Sequence, residues 1–156
     1  PIRIFWKGSS HLDTKDIMLK IVGKQLYGFS EEEEQMEFVT EGTFVSAEDA
    51  VILTYEETDM SGIPGCTTSL EIRGNNVTMK RHGETVPIDT EIRFEKGKRF
   101  TGYYDTPYGA MEMEVLTDDV VNNINRKSGK GSLNIDYHIS LRGVSESRSR
   151  LNIEIL

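Results

Sequence analysis

Two charged residues fall on otherwise apolar faces of predicted strands, and they are the best candidates for chemistry in this sequence. Glu57 alternates with apolar and aromatic residues in 51–58 (VILTYEET), and Arg81 does so in 77–81 (VTMKR). A buried unpaired charge costs several kcal/mol, so each must be paired or in contact with water. Because both lie at strand ends, they could line a barrel mouth with nearby Arg99 and bind a small polar or anionic ligand there. The favoured alternative is a salt bridge or a solvated rim.

Tyrosines are the second group that can contact a ligand. Several of them, Tyr55, Tyr103, Tyr104, Tyr108 and Tyr137, can stack on a planar molecule or on single-stranded nucleic acid. The favoured alternative is that they fill the core and place their hydroxyls at its rim. The predicted ligand-binding set is Tyr55, Glu57, Arg81, Arg99, Tyr104 and Tyr137.

Catalytic and metal-binding patterns are weak. Glu56 and Glu57 are adjacent in a predicted strand, so they point to opposite faces and do not share a substrate. The single cysteine, Cys66, has no recognisable activating base. The histidines, at 11, 82 and 138, match no ligand spacing. We therefore predict no catalytic residue, no metal and no cofactor, and we favour a protein that is not an enzyme.

The elements that would position these residues are strands. Residues 133–142 (LNIDYHISLR) alternate apolar and polar residues at every position, which predicts a half-buried strand with Tyr137 inward and His138 outward. Similar segments recur about ten times between tight turns such as Gly74-Asn75-Asn76. Gly23 suggests a bulge or a close approach of another backbone, and 118–125 (DDVVNNIN) allows either a helical turn or a continuing strand.

The predicted fold is all-β, a single antiparallel up-and-down β-barrel of 8 to 10 strands. We place an N-terminal extension or tether at residues 1–15 and the barrel at residues 16–156. The extension carries a short apolar opening and a polar loop, and 59–66 (DMSGIPGC) is predicted to connect two strands. A length of 156 residues supports one core that buries roughly 70% of the unfolded surface.

Charge and composition narrow the class of partner. Lysine and arginine number 18 against 26 aspartates and glutamates, so the formal net charge is -8 and nucleic acid is a poor partner. No run approaches the roughly 20 apolar residues of a membrane helix. With one cysteine and no export signal recognised, we expect a cytoplasmic protein that does not bind membranes.

A set of segments resembles a known family when taken in order and spacing. They are EFVTEG at 37–42, TYEETDMSG at 54–62, TTSLEI at 67–72, RHG at 81–83, FEKGKR at 94–99, YDTPYG at 104–109 and the strand with Tyr137. Their order is similar to that of the YwiB-like family of uncharacterised bacterial proteins, from about residue 16 to the end. The resemblance implies a calycin-like, lipocalin-type barrel in the cytosol and no established activity. It draws attention to Glu41, Tyr55, Glu56, Glu57, Arg81, Arg99, Tyr104, Thr106, Pro107, Gly109 and Tyr137.

Two functions remain open at this point. The first is a barrel that binds a small polar or anionic molecule at its mouth, which requires a roomy and partly polar interior. The second is a structural or interaction protein with a solid core whose surface contacts another chain, including a second copy of itself.

Overall fold

Ten β-strands make up the ordered architecture of the computed structural model, which describes residues 13–28, 30–58, 64–106, 108–142 and 145–156. In chain order they are β1 Asp13–Tyr27, β2 Glu34–Ser46, β3 Val51–Glu56, β4 Cys66–Arg73, β5 Asn76–Gly83, β6 Asp89–Phe94, β7 Arg99–Thr106, β8 Gly109–Asn122, β9 Gly131–Leu141 and β10 Ser145–Ile155. The described residues include no helix that is long and apolar enough to cross a membrane.

The strands form one antiparallel sheet in the order β6-β5-β4-β3-β2-β1-β10-β9-β8-β7, which curls into a nearly closed barrel. Neighbours in this order are also neighbours in sequence, except that β1 pairs with β10 through partners such as Ile21 and Ile153. The predicted up-and-down barrel with 8 to 10 strands is therefore confirmed.

One half of the barrel interior is packed with apolar side chains. Leu53, Leu70 and Phe94 are buried there, and Leu133 and Ile135 of β9 meet them from the other side of the barrel. These residues come from strands in which every second side chain points inward, as the period of two in a strand requires. Burial of each large apolar side chain stabilises the fold by roughly 1.5 to 3 kcal/mol.

The barrel closes between β6 and β7, where side chains take the place of a regular strand ladder. The backbone N–H of Asp89 donates to Oδ2 of Asp105 at 2.9 Å, and the N–H of Asp105 donates to Oγ1 of Thr90 at 3.1 Å. We call this contact the seam. It lies beside the polar half of the interior, because Thr90 and Tyr104 also border the cavity described below.

Several local expectations need correction or refinement. The strand register is regular at Gly23, and a Cβ there would meet only the Met36 methyl at 3.6 Å among the described residues, so both the bulge and the close backbone approach predicted there are wrong. The irregularity lies between Thr117 and Asp119 of β8. Residues 118–122 continue that strand, which confirms the strand alternative. The structure begins β1 at Asp13, three positions before the expected start of the barrel at residue 16. The rest of the expected extension, residues 59–63 of the predicted connection, and Pro107 lie outside the described residues.

Candidate functional site

A row of polar side chains crosses neighbouring strands at the second half of the barrel. Strand pairing places Tyr55 of β3 opposite Thr68 of β4, Thr68 opposite Arg81 of β5, and Arg81 opposite Thr90 of β6. All four residues occupy inward positions, continuing the same alternation that buries leucines in the other half. The register alone therefore brings a phenol, two hydroxyls and a guanidinium side by side.

Glu57 follows β3 directly and completes this row with a carboxylate. Its backbone N–H donates to the carbonyl oxygen of Cys66 at 2.8 Å, which fixes the residue against β4. One carboxylate oxygen lies 3.0 Å from Nε of Arg81 and accepts a hydrogen bond of 2.7 Å from the Thr68 hydroxyl. Only 1% of the Glu57 side chain is exposed, so this is a buried salt bridge supported by a neutral donor.

Arg81 connects the salt bridge to the other side of the barrel. Its NH1 group donates to the Tyr104 hydroxyl of β7 at 3.3 Å, and 20% of its side chain remains exposed. Burial lowers the pKa of Arg81, but Tyr104, Glu57 and Tyr55 outweigh burial and raise the pKa overall. The guanidinium therefore stays charged and links β3, β5 and β7 through side chains.

Tyr137 of β9 lies within the barrel as predicted, where its ring packs against Phe94 at a centroid distance of 4.9 Å. Burial raises the pKa of Tyr137, and a hydrogen bond to Ser149 of β10 lowers it in part. Tyr55 behaves similarly, since burial and the neighbouring Glu57 carboxylate raise its pKa. Both phenols are held in the neutral form, which can donate a hydrogen bond.

A cavity of about 410 Å³ opens among these residues. Tyr55, Arg81, Tyr104 and Tyr137 contribute polar groups to its lining, and further polar residues border it: Lys24, Gln25, Glu34, Gln35, Thr90, Ser149 and Arg150. Its apolar wall consists of Ile21, Met36, Phe38, Met79, Ile92, Ile139 and Leu151. This volume lies within the range of sites for small molecules, roughly 300 to 1,000 Å³. The interior is thus packed at one end and open at the other.

Arg99 is the one predicted site residue that the structure places elsewhere. It lies on the outer face of β7, where NH1 donates to Oε1 of Glu114 at 2.9 Å, and 61% of its side chain is exposed. The strand alternates Phe100 and Tyr104 inward, so Arg99 points away from the barrel. Its predicted position beside Glu57 and Arg81 is corrected accordingly.

The other residues considered from sequence do not join the site. Tyr103 and Tyr108 are exposed on the outside of the barrel. His138 is outward as predicted and lies 2.9 Å from Asp118, His82 is exposed, and His11 lies outside the described residues. Cys66 is a buried thiol whose pKa is raised by burial. No group of three or more His, Cys, Asp or Glu residues within the described ranges could hold a metal ion.

Two kinds of site residue were missed from the sequence. Thr68 was not singled out, although it occupies the same inward face as Leu70 and Ile72. Ser147 and Ser149 are buried in β10, but 145–150 (SESRSR) has no apolar residue that would mark it as part of a strand. The one indication in the sequence is the two-residue period of a strand. Extending the alternation of Leu151 and Ile153 towards the N-terminus places both serines on the inward face.

Comparisons with known proteins agree with this architecture. A family model described as a domain of unknown function, DUF1934, matches residues 20–153. The crystal structure of the ywiB protein from Bacillus subtilis is similar over 92% of this chain and 95% of that chain, with a TM-score of 0.70 and 19% identity. At that identity the similarity concerns the fold. No curated protein matches the chain.

Proposed function

The chain belongs to the DUF1934 family, a domain of unknown function, and we propose that this protein binds a small polar or anionic molecule in the cavity at the polar end of its barrel. The observation that carries the proposal is the 410 Å³ opening in which Arg81, Tyr104 and Tyr137 meet an apolar wall. A few converging polar groups within a mainly apolar pocket are the usual composition of a ligand site.

The architecture supports this reading in general terms. Closed antiparallel barrels of about eight strands can hold one small ligand inside, as lipocalins do, and we extend the proposal to a lipocalin-like mode of binding. We also place the protein in the cytoplasm, since its one cysteine is a buried free thiol that needs no oxidising compartment. The role is binding rather than catalysis, because the Glu57 carboxylate is engaged by Thr68 and Arg81.

A thermal-shift screen of small molecules tests the proposal, with two adjacent tyrosines of β7 as a matched pair. Tyr104→Phe removes the hydroxyl that accepts from Arg81, whereas Tyr103→Phe removes one on the outer face. We expect at least one class of small polar molecule to raise the melting temperature of the unmodified protein and of Tyr103→Phe, and to stabilise Tyr104→Phe less. A broad screen without any stabilising molecule would contradict the proposal.

A second candidate is contact with another protein chain, including a second copy of this one. Met18 of β1 and Val39 of β2 are large apolar residues on the outer face, 41% and 54% exposed. They are diagonal neighbours, because Lys20 pairs with Val39 and Met18 with Glu41. The patch is small, and the cavity does not support the solid interior that this hypothesis included. Sedimentation at increasing concentration tests it, and a mass that stays monomeric throughout counts against self-association.

A further inference from the structure

The charged residues around the cavity determine which kind of hydrogen-bond acceptor a ligand can bring into it. We propose that the ligand is a polar but uncharged molecule, with an apolar body and a carbonyl-type oxygen that accepts hydrogen bonds from Arg81 and Tyr104. This inference rests on the proposed binding function and narrows its choice between polar and anionic molecules.

The first step is that the charge of Arg81 is already balanced. Glu57 lies 3.0 Å from Nε of Arg81 and is 1% exposed, so the pair is close to neutral as a unit. A carboxylate or phosphate added beside Arg81 would share that cation with Glu57. The complex would then contain a net negative charge in a poorly solvated interior, which is strongly unfavourable.

Other charges at the cavity do not reverse this balance. Lys24 and Arg150 border it, but each alternates with inward residues and so belongs to the outer face, and Arg150 lies 3.5 Å from Asp136. Glu34 occupies an inward position at the mouth and adds a negative charge there. An approaching anion therefore meets the Glu34 carboxylate and the Lys24 ammonium near the mouth, which offset each other, and then the Glu57 carboxylate beyond Arg81.

The polar groups nevertheless favour an acceptor. The Tyr104 oxygen accepts from Arg81 at 3.3 Å, which leaves its own O–H available to donate towards the cavity. A carbonyl oxygen can take this hydrogen bond and one from the guanidinium without bringing in charge. Its apolar body would then contact Phe38, Met79 and Ile92, which line the same cavity.

A matched pair of probes separates charge from shape. We would titrate the full chain with 2-naphthamide and 2-naphthoate, which share a ring system and differ in the charge of the head group, and follow the ring resonances of Tyr104 and Tyr137 by NMR. We expect the amide to shift both resonances and to bind about tenfold or more tightly than the carboxylate, a ratio readable directly from the two dissociation constants.

Two substitutions then test the role of Glu57. Glu57→Gln keeps an acceptor for Thr68 and Arg81 but removes the balancing charge, so we expect the carboxylate to gain about tenfold relative to the amide. Glu34→Gln removes the same charge at the exposed mouth, where water screens it, and we expect a much smaller change. If Glu57→Gln does not fold, the comparison of the two probes in the unmodified protein still decides.

The outcomes distinguish this inference from the function on which it rests. Naphthoate binding as tightly as naphthamide at Tyr104 and Tyr137 would overturn the neutral-ligand inference and leave a binding function intact. Failure of both probes to shift these resonances would also overturn it, and the thermal-shift screen would then decide the binding function separately.

Discussion

Glu57 and Arg81 form a salt bridge of 3.0 Å inside the barrel, although they lie 24 positions apart in the sequence. Strand β4 lies between their strands and contributes Thr68, which donates to the same carboxylate at 2.7 Å. The pair thus joins three strands at the polar half and sets the charge of the cavity next to it.

Removing one member of this buried pair should lower the free energy of unfolding far more than removing one member of an exposed ion pair. We expect Glu57→Ala to lower the free energy of unfolding by about 3 to 5 kcal/mol, since Arg81 is left without its partner. Glu114→Ala breaks the exposed pair with Arg99 and should cost at most about 1 kcal/mol. Urea unfolding of both variants measures the difference, and equal losses would contradict a buried role for Glu57.

Two buried threonines offer a second matched comparison. Thr90 accepts a hydrogen bond from the Asp105 N–H at the seam, whereas the Thr117 hydroxyl has no partner among the described residues. Replacement by valine preserves shape, so we expect Thr90→Val to lose about 1 to 3 kcal/mol and Thr117→Val to be neutral or stabilising. Hydrogen exchange at the Asp105 amide should accelerate only in the first variant; unchanged exchange there would argue against the seam contact.

Two strand glycines should respond differently to alanine. A Cβ at Gly42 would lie 2.6 Å from the Thr54 carbonyl oxygen, so we expect Gly42→Ala to cost about 1 to 3 kcal/mol through overpacking. At Gly23 the nearest atom is the Met36 methyl at 3.6 Å, which is ordinary contact, and Gly23→Ala should be tolerated. Melting temperatures of the two variants check this, and a stable Gly42→Ala would mean that β2 and β3 separate more easily than their packing indicates.

Alkaline pH should destabilise the fold through its inner tyrosines. The pKa values of Tyr55 and Tyr137 are raised in the folded state, chiefly by burial. Their contribution is fully present below the unfolded tyrosine pKa of about 10, and it declines as pH rises further because the unfolded chain releases these protons first. Unfolding free energies measured from pH 8 to 11 should therefore fall above about pH 10.

Phenylalanine variants identify the tyrosines responsible for that loss. Tyr55→Phe and Tyr137→Phe should each make the decline above about pH 10 shallower. Tyr108→Phe changes a side chain that is 98% exposed, so the unfolding free energy of this variant should decline with pH as steeply as that of the unmodified protein. A decline that is the same in all three variants would assign the alkaline transition to other groups.

The fold could be predicted from sequence to the extent that strand period determines burial. In β9 the alternation assigned Leu133 and Ile135 to the core and His138 to the surface, and all three lie there. The same rule failed at Ser147 and Ser149, because small polar residues on an inward face look like the rest of a polar segment. Closure at the seam was also out of reach, since it depends on side chains of β6 and β7 rather than on pattern.

The candidate site was predictable in part for the same reason. Glu57 and Arg81 were visible as charges on apolar faces, and the alternative of a salt bridge between such charges is what the structure contains. Arg99 was predicted at the barrel mouth because of its charge. Its position in the alternation of β7, where Phe100 and Tyr104 point inward, places it on the outer face. Thr68 was overlooked because a threonine in a strand is common, and its role depends on register with Tyr55 and Arg81.

The division of the barrel into a packed half and an open half runs along single strands. In β9, Leu133 and Ile135 lie in the packed half, while Tyr137 and Ile139 face the cavity a few residues later. Under the proposed binding function, exchanging a few side chains at the open end would change the ligand that is bound, while the side chains that stabilise the barrel lie mainly at the other end. Ligand choice and folding would then depend on largely separate sets of residues.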